Sequence, residues 1–325
     1  MKISRRTINN DLVLRMDDRQ IGDSDYSISG LVCGNLYTST ISDISGWGIN
    51  LNIPGFYSLS NFSENLISAR LPAQRRLLGA YTQVTADYKD WAYLTVSGRN
   101  DWSSTLPKDN NSYFYPSASL AVVLTDALKM SNSLLDYGKV RLSVSKVGSD
   151  APPYKLTTNF LPGTLVDFAS GTSIPTIMAF PYRTVWGFVI GDEFGNPDIK
   201  PEKTVETELG FEMRMFNGHA RADISLYNRR GQDQIFAVPV ATSSGFATVT
   251  RNAGDLTNRG VELSVGVTPL RSETFTWDAR VNLARNWSKV KDLADGVEYI
   301  PLAGGNSQLR IVEGEPDAHC LRRET

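Results

Sequence analysis

The chain has 325 residues with 33 basic and 35 acidic side chains, a net charge of −2, so no overall positive field draws it to nucleic acid. The longest apolar run near its middle is Leu120 to Leu124, far short of the roughly 20 residues that a membrane helix needs. Helical membrane proteins are thereby excluded, but transmembrane β-barrels are not. Their strands need only about 9 to 11 residues and hide their apolarity by alternation.

In chain order, the opening "MKISRR" is basic, but "TINNDLVLRMDD" follows it without the apolar core of a secretory leader. Residues 26–40 are strand-like. Period-two alternation, the mark of strands with two different faces, then runs through residues 77–88, 91–99, 114–124 and 139–147. Residues 205–216 repeat it, with Leu209, Phe211, Met213 and Met215 opposite Glu208, Gly210, Glu212 and Arg214. Residues 219–229 continue it. Val261, Leu263, Val265 and Val267 then stand against Glu262, Ser264, Gly266 and Thr268, and Phe275, Trp277, Ala279, Val281 and Leu283 against Thr276, Asp278, Arg280 and Asn282. Eight strands follow from the pattern, with residues 26–40 a ninth.

The connections sort by length. Lys89 to Asp90, Phe216 to His219 and Pro269 to Thr274 are short and fall on one end of a meander. Residues 47–76, 100–113, 148–204 and 230–258 are long and fall on the other. Residues 125–138, "TDALKMSNSLLDYG", are the exception on the short side and suit a helical turn. Short turns on one rim and long loops on the other is the pattern of outer-membrane barrels. Aromatic residues gather near strand ends: Tyr88, Trp91, Trp102, Tyr113, Phe114, Tyr115, Tyr137, Tyr227, Phe275, Trp277 and Trp287. Those places suit girdles at two membrane interfaces. A soluble or surface-attached β-sandwich that binds glycans through Tyr57, Trp102, Tyr182 and Trp186 is the competing reading.

Several long strings then become informative. "SGRNDWSSTLPKDNNSYFYPSASLAVVLTDAL" (Ser97 to Leu128) and "DYGKVRLSVSKVGSDAPPY" (Asp136 to Tyr154) resemble the mid-barrel blocks of the SusC/RagA family of TonB-dependent outer-membrane transporters. "GNPDIKPEKTVETELGFEMRMF" (Gly195 to Phe216), "YNRRGQDQIFAVPV" (Tyr227 to Val240), "NAGDLTNRGVELSVGVTP" (Asn252 to Pro269) and "FTWDARVNLARNWSKV" (Phe275 to Val290) continue the family's order. "IPGFYSLSNF" (Ile53 to Phe62) fits the segment before them. Each block also has a local reading. Pro197 and Pro201 end a loop before a strand. Asp101, Ser103 and Ser104 suit turn hydrogen bonds, and Gly260 suits a bulge or sharp bend.

The resemblance implies an all-β fold: an antiparallel up-and-down transmembrane β-barrel segment with long extracellular loops. About 8 to 10 of an expected 22 strands would be present. It divides the chain into a poorly matched segment 1–45 with a strand-like later part, a TonB-dependent receptor barrel segment 46–316, and an aberrant polar tail 317–325. It implies energised uptake of an oligosaccharide or peptide across the outer membrane. The partners are then outer-membrane lipids, a SusD-like surface lipoprotein, and the TonB complex acting through a plug that lies outside this sequence. Neither a cofactor nor an enzymatic activity is expected. His219 and His319 are the only histidines, and Cys33 and Cys320 spell no metal or redox motif. The chain is expected to be a fragment inactive by itself. Loop residues Tyr154, Phe180, Tyr182 and Trp186 are expected to line a ligand vestibule.

Overall fold

The computed structural model describes residues 2–69, 72–130, 134–162, 185, 187–303, 307–316 and 319–322. Its strands are β1 (Lys2–Gln20), β2 (Tyr26–Leu51), β3 (Phe62–Ala69), β4 (Ala73–Tyr88), β5 (Ala92–Ser103), β6 (Ser112–Val123) and β7 (Tyr137–Ser149). They continue with β8 (Phe160–Pro162), β9 (Phe188–Ile190), β10 (Glu193–Phe194), β11 (Glu202–Met215), β12 (Ala220–Pro239), β13 (Thr248–Arg271) and β14 (Thr276–Leu293). Three short strands, β15 (Tyr299–Ala303), β16 (Ser307–Val312) and β17 (His319–Arg322), close the chain in a separate sheet. Twelve strands form one sheet, and all of them except β3 and β10 are 12 to 26 residues long. These ten long strands follow one another in chain order, each antiparallel to the next.

The register assigns every strand residue to a face. Leu78 lies opposite Trp102, Val84 opposite Val96, Leu120 opposite Leu142, Leu142 opposite Leu209, and Leu226 opposite Val261. That face is apolar, and Leu78, Val84, Leu94, Val96, Leu120, Leu142, Val144, Val281 and Leu283 are exposed on it. The other face is polar: Thr85 lies opposite Thr95, Ser97 opposite Ser117, Ser143 opposite Glu208, and Glu206 opposite Arg229. Among the described residues no second sheet covers the apolar face, which overturns the sandwich reading. A sandwich buries such a face against its mate. Exposure on this scale instead calls for a lipid solvent.

At the short-turn end, Lys89 and Asp90 adopt φ of 53° and 59°, the left-handed pair that matches the twist of a tight hairpin. Asp87 Oδ1 accepts from the Asp90 amide at 3.1 Å. A hydrogen bond to Asp25 raises the Lys89 ammonium pKa. Phe216, Asn217 and Gly218 make the second tight turn with φ of 58°, 54° and 77°. The expected helical turn is present as α1 (Leu124–Ala127).

Three sequence readings are corrected. Residues 1–45 carry two wall strands, where the alternation offers one. The run Leu12-Val13-Leu14 breaks the period-two signal in β1, yet its register with Val32, Cys33 and Gly34 is continuous. Gly260 bears no bulge: it pairs with Tyr227 in unbroken register, and β12 shifts instead between Gly231 and Gln234. Tyr113, Tyr115, Tyr137 and Tyr227 do not join a lipid girdle, because their registers with Asp101, Arg99, Arg214 and Glu208 turn them to the polar face. Other aromatics do mark rims. Tyr26, Tyr88 and Trp91 cluster at the short-turn end, with ring centroids 4.7 and 5.2 Å apart. Trp102 and Phe114 are exposed at the other.

The side-chain core lies at the long-loop end. One cluster joins Val238, Ala253, Val290, Leu293, Ile300 and Ile311, where β12 to β14 run beyond the shorter strands and meet β15 and β16. The other joins Leu106, Tyr113, Ala151 and Ile199 from three loops and the start of β6.

Candidate functional site

The polar wall and the loop belt above it carry the chemistry. Asp150 sits at the root of the longest connection with its side chain 3% exposed. It accepts two hydrogen bonds from the Arg75 guanidinium, at 2.8 and 2.5 Å, one from Ser103 Oγ at 2.5 Å and one from Thr105 Oγ1 at 3.0 Å. This planar, forked pairing fastens the loop after β7 to β4 and to the loop after β5. Ser103 therefore does more than close a local turn. Asp101 takes the Arg99 guanidinium from its own strand at 2.8 Å and reaches across to β6 to accept from the Tyr115 hydroxyl. Glu193 receives Lys155 Nζ at 2.7 and 2.5 Å and the Thr250 hydroxyl. Asn252 Nδ2 donates to the carbonyls of Lys200, at 2.9 Å, and Asp233, at 2.7 Å, while its Oδ1 accepts from the Lys200 amide. Pro201 stands immediately before β11, ending its loop as the sequence suggested.

Of the expected vestibule residues, Phe180, Tyr182 and Trp186 lie outside the described residues. Tyr154 has a φ of 64° and ties the loop down. Its hydroxyl donates to the Pro72 carbonyl at 3.1 Å and accepts from the Gln74 amide at 3.3 Å. Its side of the ring remains exposed.

Below the belt the polar face forms a hollow of about 320 Å³ lined by Glu206, Glu208, Ser225, Tyr227, Arg229, Asn258, Glu262 and Asn286. Arg229 Nε donates to Glu206 Oε2 at 2.6 Å, and Ser225 Oγ to Glu208 Oε1 at 3.2 Å. The Tyr227 hydroxyl lies 3.3 Å from Asn286 Oδ1. A Cβ on Gly260 would stand 2.3 Å from Tyr227 Cζ, so the missing side chain is what lets the ring rest on the neighbouring strand. Gly210 serves Arg141 in the same way, at 2.9 Å from Nε. Long side chains thus lie along the wall and leave the space before it open. Sequence reasoning named Glu208 and Glu262 only as polar-face residues and Tyr227 only as a rim aromatic, and drew no site from them. The signal was in the polar half of the alternation at 205–216 and 219–229.

A single antiparallel sheet of membrane-length strands, apolar on one face and polar on the other, with tight turns at one rim and packed loops at the other, is the wall of an outer-membrane β-barrel. A family model described as "TonB dependent receptor-like, beta-barrel" matches residues 6–309, and the chain belongs to that family, with the SusC/RagA group the fitting branch. It is 29% identical over 290 residues to TonB-dependent receptor P26 of Formosa agariphila, covering 86% of this chain and 28% of that protein. Over 214 residues it is 29% identical to TonB-dependent receptor SusC of Bacteroides thetaiotaomicron, covering 62% of this chain and 20% of SusC. Among solved structures it shares a fold with a chain of the RagAB peptide transporter at a TM-score of 0.75 and 19% identity, covering 97% of this chain and 33% of that one. The chain thus spans between a fifth and a third of these three proteins.

Proposed function

We propose that this chain forms part of the barrel of a TonB-dependent importer that carries an oligosaccharide or a peptide across the outer membrane. Its apolar face meets outer-membrane lipids, and its loop belt faces the exterior. A SusD-like lipoprotein lids that belt, and the TonB complex drives the cycle through the receptor's plug. The wall segment alone does not transport. The reading rests on one joint observation: a two-faced, long-stranded sheet of which all but the first few residues fall in the TonB-dependent barrel family. The likeness in fold to a chain of the RagAB peptide transporter supports the peptide alternative, and the likeness to SusC supports a surface partner. Transport requires conformational change and no chemistry on the cargo, which agrees with a wall built of positioned side chains and ion pairs. Residues 148–204, with Tyr154, Phe180, Tyr182 and Trp186, are proposed to line the vestibule.

The test is uptake by cells that express the full-length receptor. Labelled oligosaccharide or peptide should enter only when TonB and the proton gradient are both present. Exchanging residues 148–204 with the matching loop of a receptor of different substrate should move the preference with the loop. Entry that persists without TonB would refute the energised mechanism, and an unchanged preference would remove the vestibule.

A further inference from the structure

The apolar face changes character at its outer end, at one level on neighbouring strands. On β14, Ala279, Val281 and Leu283 give way to Arg285, Trp287 and Lys289. On β13, Leu263 and Val261 give way to Arg259, and on β12, Ile224 and Leu226 give way to Asn228 and Arg230. The ladder joins them into one patch. Arg259 lies directly opposite Trp287, Thr257 opposite both Arg230 and Lys289, and Val261 opposite Arg285. We propose that this patch binds an anionic lipid of the outer leaflet through its exposed phosphate. The proposal goes beyond the importer reading and takes from it only that the apolar face meets lipid.

The patch sits at headgroup height. Arg285 and Lys289 lie nine and thirteen residues from Thr276 at the inner end of β14, about 23 to 33 Å of height for a strand rising roughly 3.3 Å per residue at a tilt of about 40°. An apolar band about 25 Å tall ends there, and Trp287, exposed on the same face, is the side chain that such a boundary favours. The charge is sorted by face. Glu206, Glu208 and Glu262 stand at this level, all on the polar face. Carboxylates cost less than cations at lipid-facing positions, so contact with hydrocarbon alone does not select basic residues here. Asp255 is engaged by Arg230 at 3.1 Å. Among the described residues Arg259, Arg285 and Lys289 have no carboxylate partner, and all three are exposed. Arg259 Nε donates to Asn228 Oδ1 at 3.0 Å, which leaves both terminal nitrogens uncommitted and able to grip a phosphate as a fork. The Arg285 guanidinium lies 4.8 Å from the Trp287 ring centroid, a contact that holds it beside that fork. A zwitterionic headgroup brings its own cation to the same place and is repelled by the cluster.

The experiment uses the full-length receptor in detergent micelles, titrated with phosphatidic acid or with phosphatidylcholine of the same acyl chains and read by native mass spectrometry. Phosphatidic acid is expected to bind at least about tenfold more tightly. Arg259→Gln combined with Arg285→Gln should weaken phosphatidic acid by about tenfold and leave phosphatidylcholine within about twofold. Arg221→Gln combined with Arg280→Gln removes the same charge from the polar face and should leave both lipids within about twofold. Heat-modified gel mobility identifies the folded variants. Equal binding of the two lipids would overturn the proposal, as would parent-like affinity in the folded Arg259 and Arg285 double variant or an equal loss in the polar-face control. Displacement of phosphatidic acid by inorganic phosphate at the lipid's own concentration would mean a free-anion site and would overturn it as well. A receptor that stays monodisperse without detergent would refute the lipid contact itself, and with it the membrane placement on which the importer rests.

Discussion

The wall and the loop belt are made of one continuous chain, yet opposite rules hold them together. The belt contains nearly all the buried apolar side chains, among them Ile199, Val290 and Ile300 at no more than 1% exposed. Among the described residues the wall between the rims has none of comparable burial: Leu120, Leu142 and Val144 each leave more than two fifths of their surface open. In water a loop must bury an apolar cluster to offset the ordering of its backbone. In lipid, satisfying every backbone amide and carbonyl is the dominant demand, and the ladders of β4 to β14 do that without a side-chain core. The difference teaches that strand order in this protein is specified by alternation and register, and loop order by packing and buried ion pairs.

The comparison can be broken at its strongest point by emptying the belt. Ile300→Ala removes most of a fully buried side chain from the cluster with Val238, Val290 and Leu293 and should destabilise the belt by about 4 kcal/mol. In the full-length receptor, hydrogen exchange at the outer ends of β12 to β14 should quicken by more than a hundredfold while the amides of β5 to β7 keep their protection. A uniform loss of protection would mean that belt and wall fold as one unit. The next largest effect tests the facing of the wall. Leu142→Arg, near the middle of β7 on the apolar face, should cost about 3 kcal/mol, whereas Ser143→Arg on the polar face should cost less than about 1 kcal/mol. Denaturant titration in lipid vesicles measures both, and equal costs would refute the assigned register.

These contrasts also explain what the sequence disclosed. Strands such as residues 205–216 and 261–268 were legible because lipid on one side and water on the other enforce a clean period of two. β1 was not, since Leu12, Val13 and Leu14 put an apolar residue on both faces in succession. The aromatics misled for a related reason: proximity to a strand end says nothing of facing, and Tyr113 and Tyr115 stack at 5.9 Å on the inner side. The belt was least legible of all. Asp150 reads as an ordinary loop residue until folding brings Arg75, Ser103 and Thr105 to it across 75, 47 and 45 positions. The hollow beneath was spelled in the polar half of each strand, but only the register shows that Glu208, Tyr227, Gly260 and Asn286 share one row.

The same distinction should persist down to single ion pairs, where the expected effects are smallest. Arg75 and Asp150 meet in the belt with the carboxylate almost fully buried. Arg141 and Asp223 meet on the wall at 3.2 Å, but both side chains stay at least a third exposed to the aqueous lumen. Water screens the second pair, and Arg141 is also shared with Glu212 at 3.5 Å, so its loss leaves no carboxylate stranded in a dry site. A double-mutant cycle on Arg75 and Asp150 should give a coupling of about 2 kcal/mol. The cycle on Arg141 and Asp223 should give about 0.5 kcal/mol or less, falling further as salt is raised. Couplings of equal size would mean that the lumen beside β7 and β12 excludes water as well as the belt does.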